Sequence, residues 1–220
     1  VFTGMEHSLQ VLCAVGLVAA LIKAAKAGQS CRWLAFLIVF GPLVRYENAA
    51  LSAAAILWLW WNGERTRAAS CVALLTLFVG AFSLFMMHLG LPPLPTSVIA
   101  KTTVAKGPLP VAFGLYDNLT STTGCLIGLG ALAMACAASQ VSRSTLERRL
   151  ALVMAGGLFL HVLMGRCDYA NRYDIYAWSA GLMGGLYLWR EPLRRLLDKQ
   201  SLVKIALVST IAVGITCHAS

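Results

Sequence analysis

The side chains able to do chemistry are few, because 59% of the residues are hydrophobic and only 12% are charged. In such a chain a charged group is costly unless paired or wet, so each cluster of them is a candidate site. Four runs stand out. In Gly4-Met5-Glu6-His7-Ser8, Glu6 and His7 suit the lining of a polar cavity, while Thr3 followed by Glu6 equally fits a capping box. In Pro42-Leu43-Val44-Arg45-Tyr46-Glu47-Asn48, the fork of Arg45 suits a phosphate or a sugar hydroxyl. Arg45 and Glu47 are two apart and would not face each other on a helix, so each is expected to seek a partner elsewhere, an interhelical ion pair being the other reading. The segment from His88 to Thr120 holds five of the seven prolines, with Lys101 and Lys106 among threonines and serines. It reads either as an anion site for a lipid phosphate or as an interfacial loop whose lysines meet headgroups. Asn118-Leu119-Thr120 also matches the short glycosylation sequon. The run from Arg166 to Tyr176 is the densest. Asp168 and Arg172 are spaced to pair on a helix, with Asp174 close by. Tyr169, Tyr173 and Tyr176 suit stacking on carbohydrate or an interfacial aromatic belt.

The elements that position these runs are apolar blocks. They predict an all-α, polytopic transmembrane bundle forming one domain over residues 1–220, with about eight spans: 5–22, 32–44, 48–61, 69–89, 122–138, 150–165, 175–189 and 202–217. Spans two and three are short for a crossing of ~20 residues and suit a tilted or broken pair around a cavity. Thirteen of the eighteen basic residues then fall on one side: Lys23, Lys26, Arg32, Arg65, Arg67, Arg143, Arg148, Arg149, Arg190, Arg194, Arg195, Lys199 and Lys204. That side carries the whole formal charge of +9 and is assigned to the cytoplasm; the outer side sums to zero and holds both chain ends and all four polar runs. Topology thus accounts for the charge, and a nucleic-acid partner is not expected. Membrane lipids are.

Other features read as packing. Gly124-x-x-x-Gly128 and Gly181-x-x-x-Gly185 suit close helix contacts. Trp58, Trp60 and Trp61 suit an interfacial belt, and Cys13, Cys71, Cys125 and Cys136 suit core packing. Cys167 and Cys217 fall on the outer side, where pairing is open to them. His161 reads as a satisfied core histidine. The cysteines show no zinc spacing, no metal ligand set stands out, no cofactor is indicated, and the common hydrolase and P-loop motifs are missing.

The four runs together resemble the membrane glycosyltransferases of the GT-C superfamily, nearest to the bacterial arabinofuranosyl- and mannosyltransferase-like members. Thr3-Gly4-Met5-Glu6-His7-Ser8-Leu9 is similar to their "SGLET/TGMET-x-L" span start, and Arg45-Tyr46-Glu47-Asn48-Ala49-Ala50-Leu51 to their "RPEG/RYE-x-x-L" element. Residues 91–101, ending in Lys101, resemble a "G-x-PLPNS-x-x-AK" loop, with Thr96-Ser97 where the family has Asn followed by Ser or Thr. Asn171-Arg172-Tyr173-Asp174-Ile175-Tyr176 resembles a late "RYE-x-Y" element. The resemblance implies a multi-pass enzyme of the bacterial inner membrane. It would move a sugar from a polyprenyl-phosphate donor to a glycan or lipid acceptor on the outer face. It implies Lys101 and Arg45 near the lipid phosphate, Glu6 and Glu47 on sugar hydroxyls, and Arg172 and Asp174 shaping the pocket. The family's catalytic aspartate lies in the first outer loop, often in an acidic pair. No two acids are adjacent here, so the catalytic residue stays unassigned. The chain is expected to be the central part of a longer enzyme, without its general base. A transporter or a non-catalytic membrane partner is the alternative.

Overall fold

In a computed structural model of the protein the apolar runs fold as helices, and every element among the described residues is helical. Those residues are 3–93, 108–140, 143–165, 167 and 174–198, with side chains described for all of them except 3–6, 108–110 and 196–198. The order is α1 Thr3–Ala27, α2 Arg32–Val44, a 3₁₀ turn Tyr46–Asn48, α3 Ala49–Trp61 and α4 Arg65–His88. Then come α5 Pro108–Thr120, α6 Thr122–Ala138, α7 Thr145–Met164, α8 Ile175–Leu188 and α9 Arg190–Asp198.

Local sequence explains the breaks. Pro42 sits in the last turn of α2, where it lacks an N–H for the helix ladder, and the chain turns extended at Arg45 (φ −152°). Gly28 after α1 and Gly63 after α3 take φ of +73° and +84°, a conformation that suits glycine at a helix end. The Ser121 hydroxyl accepts from the Gly124 N–H and starts α6. The Ser144 hydroxyl likewise accepts from the Glu147 N–H at the start of α7, and the Glu147 carboxylate accepts in return from the Ser144 backbone.

α1, α3, α6, α7 and α8 pack most extensively, around a core that includes Val18, Leu21, Leu59, Met154 and Leu158. Close approach is built in at Gly157, where a Cβ would lie 3.0 Å from Leu51 and 3.3 Å from Ala54 of α3. Gly181 and Gly185 meet Leu158 of α7 and Met134 of α6, as expected of a packing face. Gly124 does not: a Cβ there would strike the Asn118 carbonyl at 2.0 Å, so this glycine serves the 94° bend between α5 and α6.

Two helices, His7–Ala27 within α1 and the whole of α4, are long and apolar enough to cross a membrane; the bent pair α5–α6 makes a third if counted as one span. α2 and α3, with 13 residues each, are about 20 Å long, short of the ~30 Å hydrocarbon core. Full-length crossings among the described residues are therefore fewer than the eight spans expected, and the expected span at 202–217 lies outside them. α4 is the barest helix. It touches α2 and α3, buries Ala68 and Cys71, and leaves Leu77, Phe78, Phe82, Leu84 and Phe85 exposed. An apolar surface of this extent along one helix suits lipid contact.

Several local expectations change. α5 and α9 are helices where an outer loop and a cytoplasmic loop were expected. Pro108 and Pro110 fall in the first turn of α5, where proline costs the helix nothing. Trp58 is buried in the core, whereas Trp60 and Trp61 are exposed beneath Arg65 and Arg149. Cys13 and Cys71 are buried, but Cys125 and Cys136 are exposed.

The helix ends sort into two regions. At one end the basic loops meet. Ser30 and Arg67 both bond Glu64, Arg149 bonds Asn62 and the Trp61 carbonyl, Arg190 pairs with Glu147, and Lys26 lies over the Tyr187 ring. At the other end the start of α1, the α2–α3 turn, the end of α7 and the start of α8 come together. The short α2 and α3 put their turn at the level of His7 and Gln10, inside the first turns of α1.

Candidate functional site

The polar end holds two joined clusters. The first forms around Arg45. Because the chain is extended at Arg45 and turns tightly at Tyr46–Asn48, Arg45 and Glu47 do meet, with Arg45 Nε 3.6 Å from Glu47 Oε2. The expectation that they would part assumed a helix there. Arg45 Nη1 donates to His7 Nδ1 at 2.8 Å and approaches Gln10 Oε1 at 3.5 Å. Both ionic side chains are largely buried, at 14% and 7% exposure. The Glu47 carboxylate oxygens accept no hydrogen bond from any described group, and Gln10 Nε2, Asn48 Oδ1 and Ser52 Oγ are likewise unmatched. Asn48 Nδ2 donates to the Gly41 carbonyl. A narrow crevice runs from Asn48 and Ser52 between α1 and α2, past Cys13, Leu17 and Leu37.

The second cluster is built on His161, in the last turn of α7. Its Nε2 lies 2.8 Å from Asp174 Oδ1 and its Nδ1 lies 2.7 Å from the Tyr176 hydroxyl. The Tyr176 hydroxyl also donates to the Glu47 backbone carbonyl at 2.5 Å, joining the two clusters. His161, Asp174 and Tyr176 are 2%, 0% and 0% exposed. Asp174 occupies the position before α8 where an aspartate usually caps the helix, yet its side chain makes no cap bond. It points to His161 instead. Gly165 packs on the same ring: a Cβ there would come within 3.1 Å of the imidazole and 2.6 Å of the His161 carbonyl. Cys167 is buried, and ligand atoms of His161, Cys167 and Asp174 all lie within 4.8 Å of one another.

Asn118 fixes the end of α7. Its Nδ2 donates to the Val162 and Gly165 carbonyls at 2.7 and 2.8 Å, and its Oδ1 accepts from the Cys167 N–H at 3.0 Å. Both amide hydrogens are committed in a side chain that is 5% exposed. The sequon reading of Asn118 is thereby corrected: the folded chain does not present this amide for glycosylation.

Of the six candidate site residues, Arg45, Glu47 and Asp174 gather at this end of the bundle. The Glu6 side chain, Lys101 and Arg172 lie outside the described residues, as do Lys106, Asp168, Tyr169 and Tyr173. Tyr176, read as a stacking or belt ring, is wholly buried and acts as a hydrogen-bond bridge. His161 is a core histidine as expected, but its partners were missed. One signal pointed to them: a titratable group in an apolar helix needs a polar partner, and Asp174 begins the next helix. Neither a family model, nor a curated protein, nor a solved structure matches the chain.

Proposed function

We propose that the protein is a membrane glycosyltransferase of the GT-C type. It moves a sugar from a polyprenyl-phosphate donor to a glycan or lipid acceptor on the outer face of the bacterial inner membrane, as a multi-pass bundle whose polar end faces outward. The observation that carries this reading is the pairing of a largely buried guanidinium with a carboxylate that accepts no hydrogen bond from any described group. It occurs within the element that resembles the family's "RYE" motif and at the end opposite the basic loops. A carboxylate with vacant lone pairs suits the hydroxyls of a sugar, and a guanidinium suits the charge that develops on a departing lipid phosphate. In this reading Glu47 orients donor hydroxyls and Arg45, with Lys101, stabilises the leaving phosphate. Asp174 acts on the pocket through His161 and Tyr176, which hold the Glu47 backbone in place.

The test is a transfer assay on the full-length gene product, reconstituted with a polyprenyl-phosphate sugar and membrane acceptor glycans. Lys101→Met and Arg45→Lys are each expected to lower turnover at least a hundredfold, with the helical circular-dichroism spectrum unchanged. Normal transfer by both variants would overturn the site assignment. Solute flux in liposomes without sugar transfer would overturn the enzyme reading in favour of a transporter.

A further inference from the structure

The proton count in the second cluster leads to a metal site. The Glu47 carbonyl can only accept, so the single Tyr176 hydroxyl proton is donated there. The Tyr176 oxygen then serves as acceptor to His161, and Nδ1 carries the hydrogen. That leaves the second ring nitrogen, Nε2, facing Asp174 Oδ1 at 2.8 Å, lone pair against lone pair unless a cation lies between them. Either a proton or a metal ion meets this need. Three observations favour the metal. The Cys167 sulfur closes a triangle of ligand atoms within 4.8 Å, all from buried residues. Asp174 Oδ2 is buried with no hydrogen-bond partner, a vacant donor atom on the same carboxylate. Asp174 also gives up its natural role as a helix cap to point inward.

We propose that His161 Nε2, Cys167 Sγ and the Asp174 carboxylate bind a divalent cation of the zinc class, which ties the end of α7 to the start of α8. The donor set is mixed nitrogen, sulfur and oxygen, which suits zinc and not magnesium or calcium. A thiolate and a carboxylate balance the double charge, so the occupied site is neutral, as a buried site requires. Tetrahedral zinc holds such donors about 3.3–3.6 Å apart, so the His161–Asp174 contact opens by roughly half an ångström on binding. The outer support is already present: His161 Nδ1 to Tyr176, and Tyr176 to the Glu47 carbonyl, fix the ring as metal-bound histidines are usually fixed. The ion closes the connection that contains Arg172. The site shares His161 and Asp174 with the transferase reading, but its test is independent of it, because the readout is metal content and not sugar transfer.

The experiment is elemental analysis of the full-length protein purified without chelator, followed by cobalt titration of the metal-stripped protein. About one equivalent of zinc is expected, together with the near-ultraviolet charge-transfer band of a cobalt–thiolate bond. Cys167→Ser is expected to abolish that band and to lower zinc content at least tenfold, and His161→Gln to lower the content as far. Tyr176→Phe keeps all three ligands and is expected to weaken affinity about 10- to 100-fold. Wild-type protein with no zinc and no cobalt–thiolate band would overturn the proposal and leave a proton between His161 and Asp174. Metal that survives both Cys167→Ser and His161→Gln would overturn it as well. Where a variant fails to fold, the cobalt spectrum of the wild-type protein decides alone.

Discussion

The two ends of the bundle use the same kinds of side chain to opposite effect. At the basic end the ion pairs include Arg67–Glu64 and Arg190–Glu147, with arginine side chains 40% and 41% exposed. At the polar end the Arg45–Glu47 ion pair and the His161–Asp174 contact are nearly or wholly buried. Exposed pairs are worth about 0–1 kcal/mol, because water and salt compete for the same charges. Breaking a buried pair costs about 3–5 kcal/mol, because the partner left behind keeps its charge without water. The basic end is therefore held by small, replaceable contacts. The polar end is held by fewer, buried contacts. Among the described residues most of the unmatched buried polar atoms also lie toward this end, on Gln10, Glu47, Asn48, Ser52 and Asp174, with Trp58 Nε1 an exception near the other. Stability alone does not favour vacant buried polar atoms, and their concentration near one end is the contrast that the proposed function rests on.

The largest effect that would test this contrast is at Arg45. Arg45→Met leaves the Glu47 carboxylate buried without its cation and is expected to cost about 4 kcal/mol in denaturant unfolding in detergent micelles. Arg45→Met combined with Glu47→Met should recover most of that loss, because no charge is then stranded. A single-variant cost below about 1 kcal/mol would put Arg45–Glu47 in the same class as the basic-end pairs and remove the contrast.

Asn118 comes next. Asn118→Ala leaves the Val162 and Gly165 carbonyls and the Cys167 N–H unmatched near the buried cluster, at an expected cost of about 3 kcal/mol. Hydrogen exchange should show the loss concentrated at the end of α7 and spare the start of that helix at the basic end. Uniform loss of protection along α7 would mean that the polar end is not a separate unit of stability.

How much of this was legible in the sequence depends on the range of the contact. Long apolar runs fix helices wherever they occur, and the basic loops assort to one end by count alone. The partners across the polar end were not legible, since Arg45 reaches back 38 residues to His7 and Tyr176 reaches back 129 to Glu47. The rule that residues two apart do not face each other failed at Arg45 and Glu47 because Pro42 ends the helix just before them. α5 was hidden by prolines that suit a loop and a helix start equally. Asp174 was placed in the site from its motif, but its turn away from capping toward His161 is a tertiary choice that no local pattern encodes.

The smallest effect sharpens the comparison from the other side. Burial alone would raise the Glu147 carboxyl, but hydrogen bonds from Arg190 and Tyr187, the Arg190 charge and the Ser144 backbone outweigh it and hold the group below its ordinary range. A depressed folded-state value stabilises the protein above the unfolded value of about 4.3, and the contribution fades as pH falls through the folded one. The Arg190 side chain is 41% exposed, so the contribution is expected to stay under about 1 kcal/mol. Glu147→Gln should therefore cost that much at pH 7, lose its effect in acid, and shrink in about 1 M salt, where the screening length falls to about 3 Å. The Arg45→Met penalty should hold at the same salt, since ions do not reach a buried pair. If salt erased both penalties alike, water would have equal access to the two ends. The unmatched atoms on Glu47 would then be solvated groups and not a site held ready for a ligand.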